Sequence, residues 1–317
     1  MIADLHSDSL LEIVDKGRDL TQRSSEGHID IPRLMEGGVR VQVFAAWMDP
    51  AYYPDRSRER AEELISAFRD LDVRSDELEQ ARSYSDVRRI SGEGKIAGIA
   101  AIEGGDALEG DPEALRHFYD LGVRVLTLTW SYSNQLADGV YEKFPDGSEG
   151  NGGLTDLGLS AVREMNDLGM LIDVSHISEK SFWDVINASE DPVIASHSCA
   201  YALCNHQRNL KDEQIRAIAA DGGVIGVNFY PRYLSSSGEA RIDDVIAHID
   251  HIAEVGGVDC VALGSDFDGI EKTPRGLEDA SRMSDIADRL RDKGYSSGDI
   301  EKIMGGNFLR VFREVCG

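Results

Sequence analysis

The chain has 317 residues and a formal net charge of −25 at pH 7. That charge argues against nucleic-acid binding, because phosphate recognition needs clustered Lys and Arg, and a solvated acidic surface is its ordinary explanation. With 41% hydrophobic residues and no run near the roughly 20 apolar residues that span a bilayer, the sequence predicts a globular protein without membrane contact.

Eight short apolar runs alternate with helical patterns along the whole chain. Such alternation predicts parallel strands joined by right-handed helical crossovers. The Gly- and Asn-rich stretch 131–154 follows a strand, so we interpret it as a loop within one domain. Eight strands predict an α/β fold, a single-domain (β/α)₈ TIM barrel over residues 1–317. The predicted strands are 2–6, 39–47, 96–103, 123–130, 171–176, 192–197, 223–230 and 260–267, and the helical patterns are 59–68, 112–122, 157–169, 178–190, 212–223 and 242–257.

Side chains suited to metal binding or acid–base chemistry stand at the ends of these runs. The carboxyl ends of barrel strands converge on one rim, where active sites are built. Three histidines with carboxylates suit Zn²⁺ or a similar divalent ion, and a carboxylate between two ligand sets can bridge ions ~3.5–4 Å apart. The residues are His6, Asp8, Glu103, Trp130, His176, His197, Tyr230 and Asp266.

The other histidines are predicted to be surface groups without a catalytic role. The helical pattern at 242–257 has its apolar side at Ile242, Val245 and Ile249, which predicts that both of its histidines face solvent. The histidines so interpreted are His28, His117, His206, His248 and His251.

The four cysteines form no CxxC pair, so we expect reduced thiols and no disulfide. Cys199 lies two residues after His197, but sequence neighbours on a loop seldom form a nucleophilic pair. The start of the chain, MIADLHSD, has no basic segment followed by an apolar one, and we expect a cytoplasmic protein. The sequence leaves the oligomeric state open between a monomer and a homodimer.

Several longer motifs are similar to those of one known family. HSD at 6–8, AIEGGDAL at 101–108, GLTDLGLSAVREMNDLGMLIDVSH at 153–176, PVIASHSCAYALCNHQRN at 192–209 and GSDFDGI at 264–270 resemble the membrane dipeptidase (renal dipeptidase) family of the metal-dependent amidohydrolase superfamily. The resemblance extends over nearly the whole chain. It implies a (β/α)₈ dipeptidase with two Zn²⁺, or similar divalent ions, per chain.

The resemblance also implies a role for each matching residue. His6 and Asp8 would hold one ion, His176 and His197 the other, and Glu103 would bridge them. Asp266 would be the acid–base group and Arg208 would bind the substrate's carboxylate. Two cations sharing a water would lower its pKa and give a hydroxide nucleophile. The expected substrates are dipeptides, including those with a C-terminal D-residue.

At one position the chain departs from the family pattern. The family's substrate-binding histidine after the fourth strand is replaced by Trp130. Either the indole N–H donates a hydrogen bond to the developing oxyanion, or the indole narrows the pocket and Asn134 donates that hydrogen bond, and we favour the second alternative. Tyr233, in the motif VNFYPRYL at 227–234, is assigned to substrate binding.

Two alternative functions remain open at this stage. The enzyme could hydrolyse another small amide, such as an N-acyl amino acid or a lactam, and activity on dipeptides with free amino termini would distinguish these. The chain could instead be a non-catalytic metal-binding protein, although Asp266 argues against this because a binder needs no acid–base group.

Overall fold

A computed structural model describes residues 1–111 and 113–317. Eight of its strands pair in parallel around a closed barrel in the order β1-β2-β4-β5-β6-β7-β8-β9 and back to β1. The predicted (β/α)₈ barrel is therefore confirmed. The short strand β3, which pairs with the first half of β4, was not predicted, because LEQ has no apolar run. The strands are β1 Ile2–Asp4, β2 Val39–Trp47, β3 Leu78–Gln80, β4 Ile96–Glu103, β5 Val123–Thr127, β6 Leu171–Asp173, β7 Ile194–Ser198, β8 Val224–Val227 and β9 Val261–Leu263.

Helices surround the barrel, and each of the six predicted patterns coincides with one of them. Pro112, the first residue of the predicted helix 112–122, lies outside the described residues. The helices are α1 Ser9–Val14, α2 Ile31–Glu36, α3 Ser57–Arg74, α4 Tyr84–Gly92, α5 Glu113–Leu121, α6 Asp156–Leu168, α7 Glu179–Ala188, α8 Asp212–Ala220, α9 Pro231–Leu234, α10 Ile242–Gly256, α11 Asp285–Asp292, α12 Ser297–Glu301 and α13 Asn307–Cys316. Of these described helices, none combines the length and the apolar character that crossing a membrane requires.

The core has an inner and an outer layer. Larger apolar residues fill the space between strands and helices, whereas many small side chains, such as Ala45 and Ala101, pack inside the barrel. Phe308 and Phe312 of α13 belong to this inner cluster and contact the barrel strands. Apolar packing thus fills the interior, and the polar groups of the barrel gather toward the carboxyl ends of its strands.

Five of the predicted strand tips lie beyond the strands. Strands β1, β5, β6, β8 and β9 end earlier than predicted, so the predicted strand ends at these positions are wrong and the tip residues stand on irregular backbone. These residues are His6, Trp130, His176, Tyr230 and Asp266. His176 and Asp266 have φ values of 65° and 63°, in the left-handed region that non-glycine residues seldom adopt. This conformation breaks the ladder and changes the direction of the side chain.

Candidate active site

The five predicted metal ligands converge around the carboxylate of Glu103, the last residue of β4. One carboxylate oxygen, Oε2, lies 3.4 Å from His6 Nε2. The other, Oε1, lies 3.0 Å from His176 Nε2 and 3.5 Å from His197 Nε2. The Asp8 carboxylate is 3.7 Å from His6 Nε2, and the Nε2 atoms of His176 and His197 are 2.8 Å apart. Glu103 therefore separates two pairs of ligand-type side chains.

The donor set fits divalent metal ions. Ligand atoms of His6, Glu103 and His197 lie within 4.8 Å of one another, and so do those of His6, Asp8 and Asp266. His6 Nε2 and Asp8 Oδ1 are buried and have no hydrogen-bond partner among residues 1–111 and 113–317. Buried polar atoms are nearly always paired, so these two orphaned atoms are consistent with metal ligands.

Charge within this cluster also favours a cation. Burial raises the pKa of Asp8 to about 6, and the neighbouring charge of Glu103 adds to the rise. Burial by itself would lower the pKa of His6, but Glu103 raises it well above its ordinary value. Without a metal, a proton on His6 offsets the carboxylates. A divalent ion would supply that compensating charge directly.

A polar layer beneath the ligands orients His197. The Asp173 carboxylate accepts hydrogen bonds from Ser196 Oγ at 2.6 Å and Thr127 Oγ1 at 2.6 Å. Ser196 Oγ lies 2.8 Å from His197 Nδ1, and since its own proton goes to Asp173, it accepts from that nitrogen. His197 is thereby held in the tautomer whose Nε2 lone pair faces Glu103. Sequence reasoning missed this layer, although DVSH and ASHS both place Ser beside a predicted ligand.

The loop after β9 places Asp266 over the same cluster. Asn228 Nδ2 donates to the Asp266 carboxylate at 2.9 Å, and the Asp266 backbone N–H donates to His6 O at 3.2 Å. Gly269 lets this loop approach closely, because a Cβ there would lie 2.0 Å from Asp8 Oδ2. Burial raises the pKa of Asp266 to about 7, against a smaller lowering by His6. A carboxyl group with a pKa near neutrality is suited to accept and return a proton.

Arg208 is held rigidly on one wall. Its side chain is only 4% exposed, and Nη2 donates to His197 O at 3.0 Å while Nη1 lies 3.5 Å from Ser198 Oγ. Its guanidinium Cζ is 5.5 Å from the ring centre of Tyr233. The fixed guanidinium lines the same cavity as the metal-ligand cluster.

The site opens into a cavity of about 430 Å³. Trp130 lines it, with ring centres 5.3 Å from Trp47 and 5.9 Å from His176. Tyr233, also predicted from the sequence, lines it near Arg208. Trp47, aligned with Glu103 in the pairing of β2 with β4, was not predicted. The predicted strand 39–47 ends on this apolar residue, which indicates no metal or acid–base chemistry. Only the pairing register of β2 with β4 shows that Trp47 lies beside the metal-ligand cluster.

The prediction that Asn134 donates to the substrate is wrong. Asn134 is fully buried, and its amide nitrogen donates to Leu128 O at 2.9 Å and Asp106 Oδ2 at 3.2 Å. Its oxygen accepts from the backbone N–H of Leu136 at 2.8 Å. Because both its donor protons are engaged, Asn134 fixes the loop after β5 and does not line the cavity.

Two histidines that were predicted to face solvent without a role have other positions. His248 is 1% exposed and bridges Ala200 N, 3.0 Å from Nδ1, to Leu234 O, 3.0 Å from Nε2. The helical periodicity of 242–257 did not predict the burial of His248, because it identifies only the apolar residues that face the core. Side chains next to that apolar stripe are buried as well. His206 lines the cavity, with its ring centre 4.6 Å from that of Tyr233.

The remaining predicted bystanders stay outside the cavity. His117 is paired with Glu62 at 2.9 Å and His251 with Asp212 at 2.8 Å. His28 is partly buried, and its Nδ1 accepts from Asp268 N at 3.0 Å. Cys199 is buried, its thiol lies 3.3 Å from Asn228 O, and burial raises its pKa, so it is not a thiolate nucleophile.

Comparisons with known proteins agree over the full length of the fold. Residues 1–316 match the family model described as membrane dipeptidase (peptidase family M19). Dipeptidase tcpJ of Claviceps purpurea is 34% identical over 299 residues, which cover 91% of this chain and 69% of that protein. Dipeptidase aclJ of Aspergillus oryzae is 34% identical over 300 residues, with 91% and 70% covered.

Solved structures give the same result. The chain superimposes on a crystal structure described as dipeptidase AC, a metallopeptidase of family M19, with a TM-score of 0.92 and 29% identity, covering 100% of this chain and 98% of that one. A metallopeptidase from Rhodobacter sphaeroides, solved with a phosphinate mimic of the dipeptide L-Ala-D-Ala, gives a TM-score of 0.90 and 28% identity, with 99% of each chain covered.

Proposed function

The chain belongs to the membrane dipeptidase family, peptidase family M19, and we propose that it hydrolyses dipeptides with the aid of two Zn²⁺ ions, or similar divalent ions. His6 and Asp8 would hold one ion and His176 and His197 the other, with Glu103 between them. The observation that carries this proposal is the division of the Glu103 oxygens, with Oε2 3.4 Å from His6 and Oε1 3.0 Å from His176.

The bound ions would activate a water molecule as nucleophile and polarise the scissile carbonyl group. Asp266 would accept the proton of the attacking water and deliver it to the leaving amine nitrogen, which is too basic to depart unprotonated. Its position beside Asp8 and His6 and its hydrogen bond from Asn228 at 2.9 Å support this role.

Arg208 would bind the C-terminal carboxylate of the substrate through its guanidinium fork. An arginine only 4% exposed has lost most of its water, and it has no ion pair in the part of the chain that the structure describes. A longer peptide continues in a neutral amide at this position, so the site would favour dipeptides. Trp130 and Tyr233 would line the space around the substrate side chains.

The C-terminal residue of the substrate could have either configuration. The Rhodobacter sphaeroides enzyme was solved with a mimic of L-Ala-D-Ala, and its fold matches this chain over 99% of the length. We extend to this chain the acceptance of a C-terminal D-residue.

A cytoplasmic location is part of the proposal. All four cysteines are free thiols, as expected in a reducing compartment. Fractionation of the source cells, with the protein followed by an antibody, tests the location.

One experiment tests the proposed function. Purified protein is reconstituted with Zn²⁺, its metal content is measured, and hydrolysis of L-Ala-L-Ala, L-Ala-D-Ala, tri-L-alanine and N-acetyl-L-alanine is followed. We expect two ions per chain, turnover of the dipeptides, and little turnover of the tripeptide. Turnover of N-acetyl-L-alanine in preference to dipeptides would contradict the proposal and favour another amide substrate.

A further inference from the structure

We propose that Arg232 forms a second anion-binding position beside Arg208, so that the enzyme prefers dipeptides whose C-terminal residue has an acidic side chain. This inference rests on the proposed dipeptidase function and names a substrate class for it. The main-chain carboxylate binds Arg208, and the side-chain carboxylate of a C-terminal Asp or Glu binds Arg232.

Arg232 is available for a ligand. It is exposed and lines the same cavity as Arg208 and Asp266. Within residues 1–111 and 113–317 it forms no ion pair with an acidic side chain. Glu271 lines the cavity as well, and a carboxylate in the same cavity weakens the attraction of Arg232 for an anion.

Arg208 and Arg232 belong to one wall. Arg208 and Arg232 line one cavity together with His206 and Tyr233. The His206 ring centre is 4.6 Å from that of Tyr233, and the same tyrosine ring is 5.5 Å from Arg208 Cζ. We call these residues, Arg208, Tyr233, His206 and Arg232, the arginine wall.

The backbone that carries Arg232 is fixed by long-range hydrogen bonds. In α9, the Arg232 carbonyl accepts from Cys204 Sγ at 3.4 Å and the Tyr233 carbonyl accepts from Asn209 Nδ2 at 2.8 Å. His248 Nε2 lies 3.0 Å from Leu234 O, and its other nitrogen accepts from Ala200 N, so Nε2 donates. Arg232 thus extends from an anchored turn, and only its side chain loses freedom when it binds an anion.

The electrostatics make such a position necessary for acidic substrates. The chain has a net charge of −25 and Glu271 lines its cavity, which together disfavour a substrate with a second carboxylate. The two carboxylates of a C-terminal Asp are separated by two carbon atoms. Two guanidinium groups that line one cavity can therefore bind one carboxylate each, and the second arginine offsets the added negative charge.

The test compares substrates of equal shape and different charge. With Zn²⁺-loaded enzyme, kcat/KM is measured for Ala-Asp against Ala-Asn and for Ala-Glu against Ala-Gln, with the C-terminal residue in both L and D forms. We expect the acidic member of each pair to be preferred about threefold to tenfold in the configuration that the enzyme accepts, mainly through KM, as for an exposed ion pair. The preference should decrease in 0.5 M NaCl.

Variants of the arginine wall then test whether Arg232 causes the preference for acidic C-terminal residues. Arg232→Gln should remove it by weakening turnover of Ala-Asp while Ala-Asn is unaffected, and Arg232→Lys should retain part of it. Arg163→Gln, an exposed arginine of α6 outside this cavity, is the matched control and should leave the ratio unchanged. Glu271→Gln should strengthen the preference.

Three results would overturn the inference. The acidic and neutral members of each pair could be cleaved equally well by the parent enzyme. Arg232→Gln could lower kcat/KM for Ala-Asp and Ala-Asn by the same factor, in which case Arg232 helps to bind the main-chain carboxylate. Failure of the loaded enzyme to cleave any dipeptide would overturn the proposed function and this inference with it. If dipeptides are cleaved, a ratio of kcat/KM for Ala-Asp to Ala-Asn that is the same in Arg232→Gln as in the parent would overturn the inference alone.

Discussion

The floor and the rim of the cavity differ in how much of their geometry the protein fixes in advance. On the floor, formed by His6, Asp8, Glu103, His176 and His197, no residue is more than 6% exposed, and Asp173 and Ser196 hold His197 from below. On the rim, Arg232 is exposed and has no ion pair among the described residues. A rigid floor suits chemistry that every substrate shares, and an adaptable rim suits the choice among substrates.

The largest expected effect comes from the centre of the floor. In Glu103→Gln only one side-chain oxygen remains as an acceptor, so it can no longer serve both pairs of ligands. We expect the metal content to fall from two ions per chain to one or none, and turnover to fall to background. Glu271→Gln, the same change on the rim, should keep both ions. Retention of two tightly bound ions in Glu103→Gln would contradict the bridging role.

Asp266 tests whether the proton-transfer group can be separated from the metal ligands. Asp266→Asn keeps the shape and can still accept from Asn228, but it cannot exchange a proton. The metal content should stay unchanged while kcat falls about 10²–10⁴-fold. A variant that hydrolyses dipeptides at close to the parent rate would move the acid–base role to another residue.

Variants of the polar layer formed by Asp173, Ser196 and Thr127 test whether the rigidity of the floor depends on residues that do not contact the substrate. Ser196→Ala removes the acceptor of His197 Nδ1 and should weaken metal affinity about 10–100-fold, measured by competition with a chelator. Thr127→Val removes a donor to the same Asp173 carboxylate without touching His197, and should have a smaller effect. Equal losses in both variants would mean that Asp173 acts only through general stability.

Asp106, which follows β4 and accepts a hydrogen bond from Asn134, offers a test in terms of stability and pH. Burial raises the pKa of Asp106 to about 6 from its ordinary value of 3.8, although the hydrogen bond from Asn134 lowers it in part. The folded state then binds more protons than the unfolded state between about pH 4 and pH 6, so this group lowers the free energy of unfolding as the pH rises through that window.

Asp106→Asn should therefore raise the free energy of unfolding at pH 7.5 by on the order of 1–3 kcal/mol, with a gain that disappears below about pH 4. Denaturant unfolding at the two pH values measures this. A variant that is less stable than the parent at pH 7.5, but equally stable below about pH 4, would contradict this and show that the charged carboxylate stabilises the loop.

The smallest effect on turnover is expected at the aromatic rim. Trp130→Phe should retain most of kcat and change the preference among substrate side chains, because the indole lines the cavity. Asn134→Ala, in contrast, should lower the free energy of unfolding by about 1–3 kcal/mol through its lost loop hydrogen bonds, with kcat of the folded protein nearly unchanged. A large loss of kcat in Trp130→Phe would instead assign a hydrogen bond to the indole N–H.

The barrel and the identity of the floor residues follow from the amino-acid sequence alone. Eight apolar runs alternating with helices admit few topologies. A ligand-type residue at the end of such a run must lie on the common rim of the barrel, so the pattern of the runs is sufficient to place His197 and Glu103 there.

The neighbours that those residues meet depend instead on tertiary packing. His248 and Asn134 were misassigned because helical periodicity and proximity in sequence carry no information about contacts made by distant loops, such as that of His248 with Ala200 and Leu234. Trp47 lines the cavity because of the register of its strand, and Arg232 lines it because long-range hydrogen bonds hold its turn in place. The physical reason is that local sequence fixes the direction of a side chain only within its own element, whereas burial and partners depend on how the elements pack.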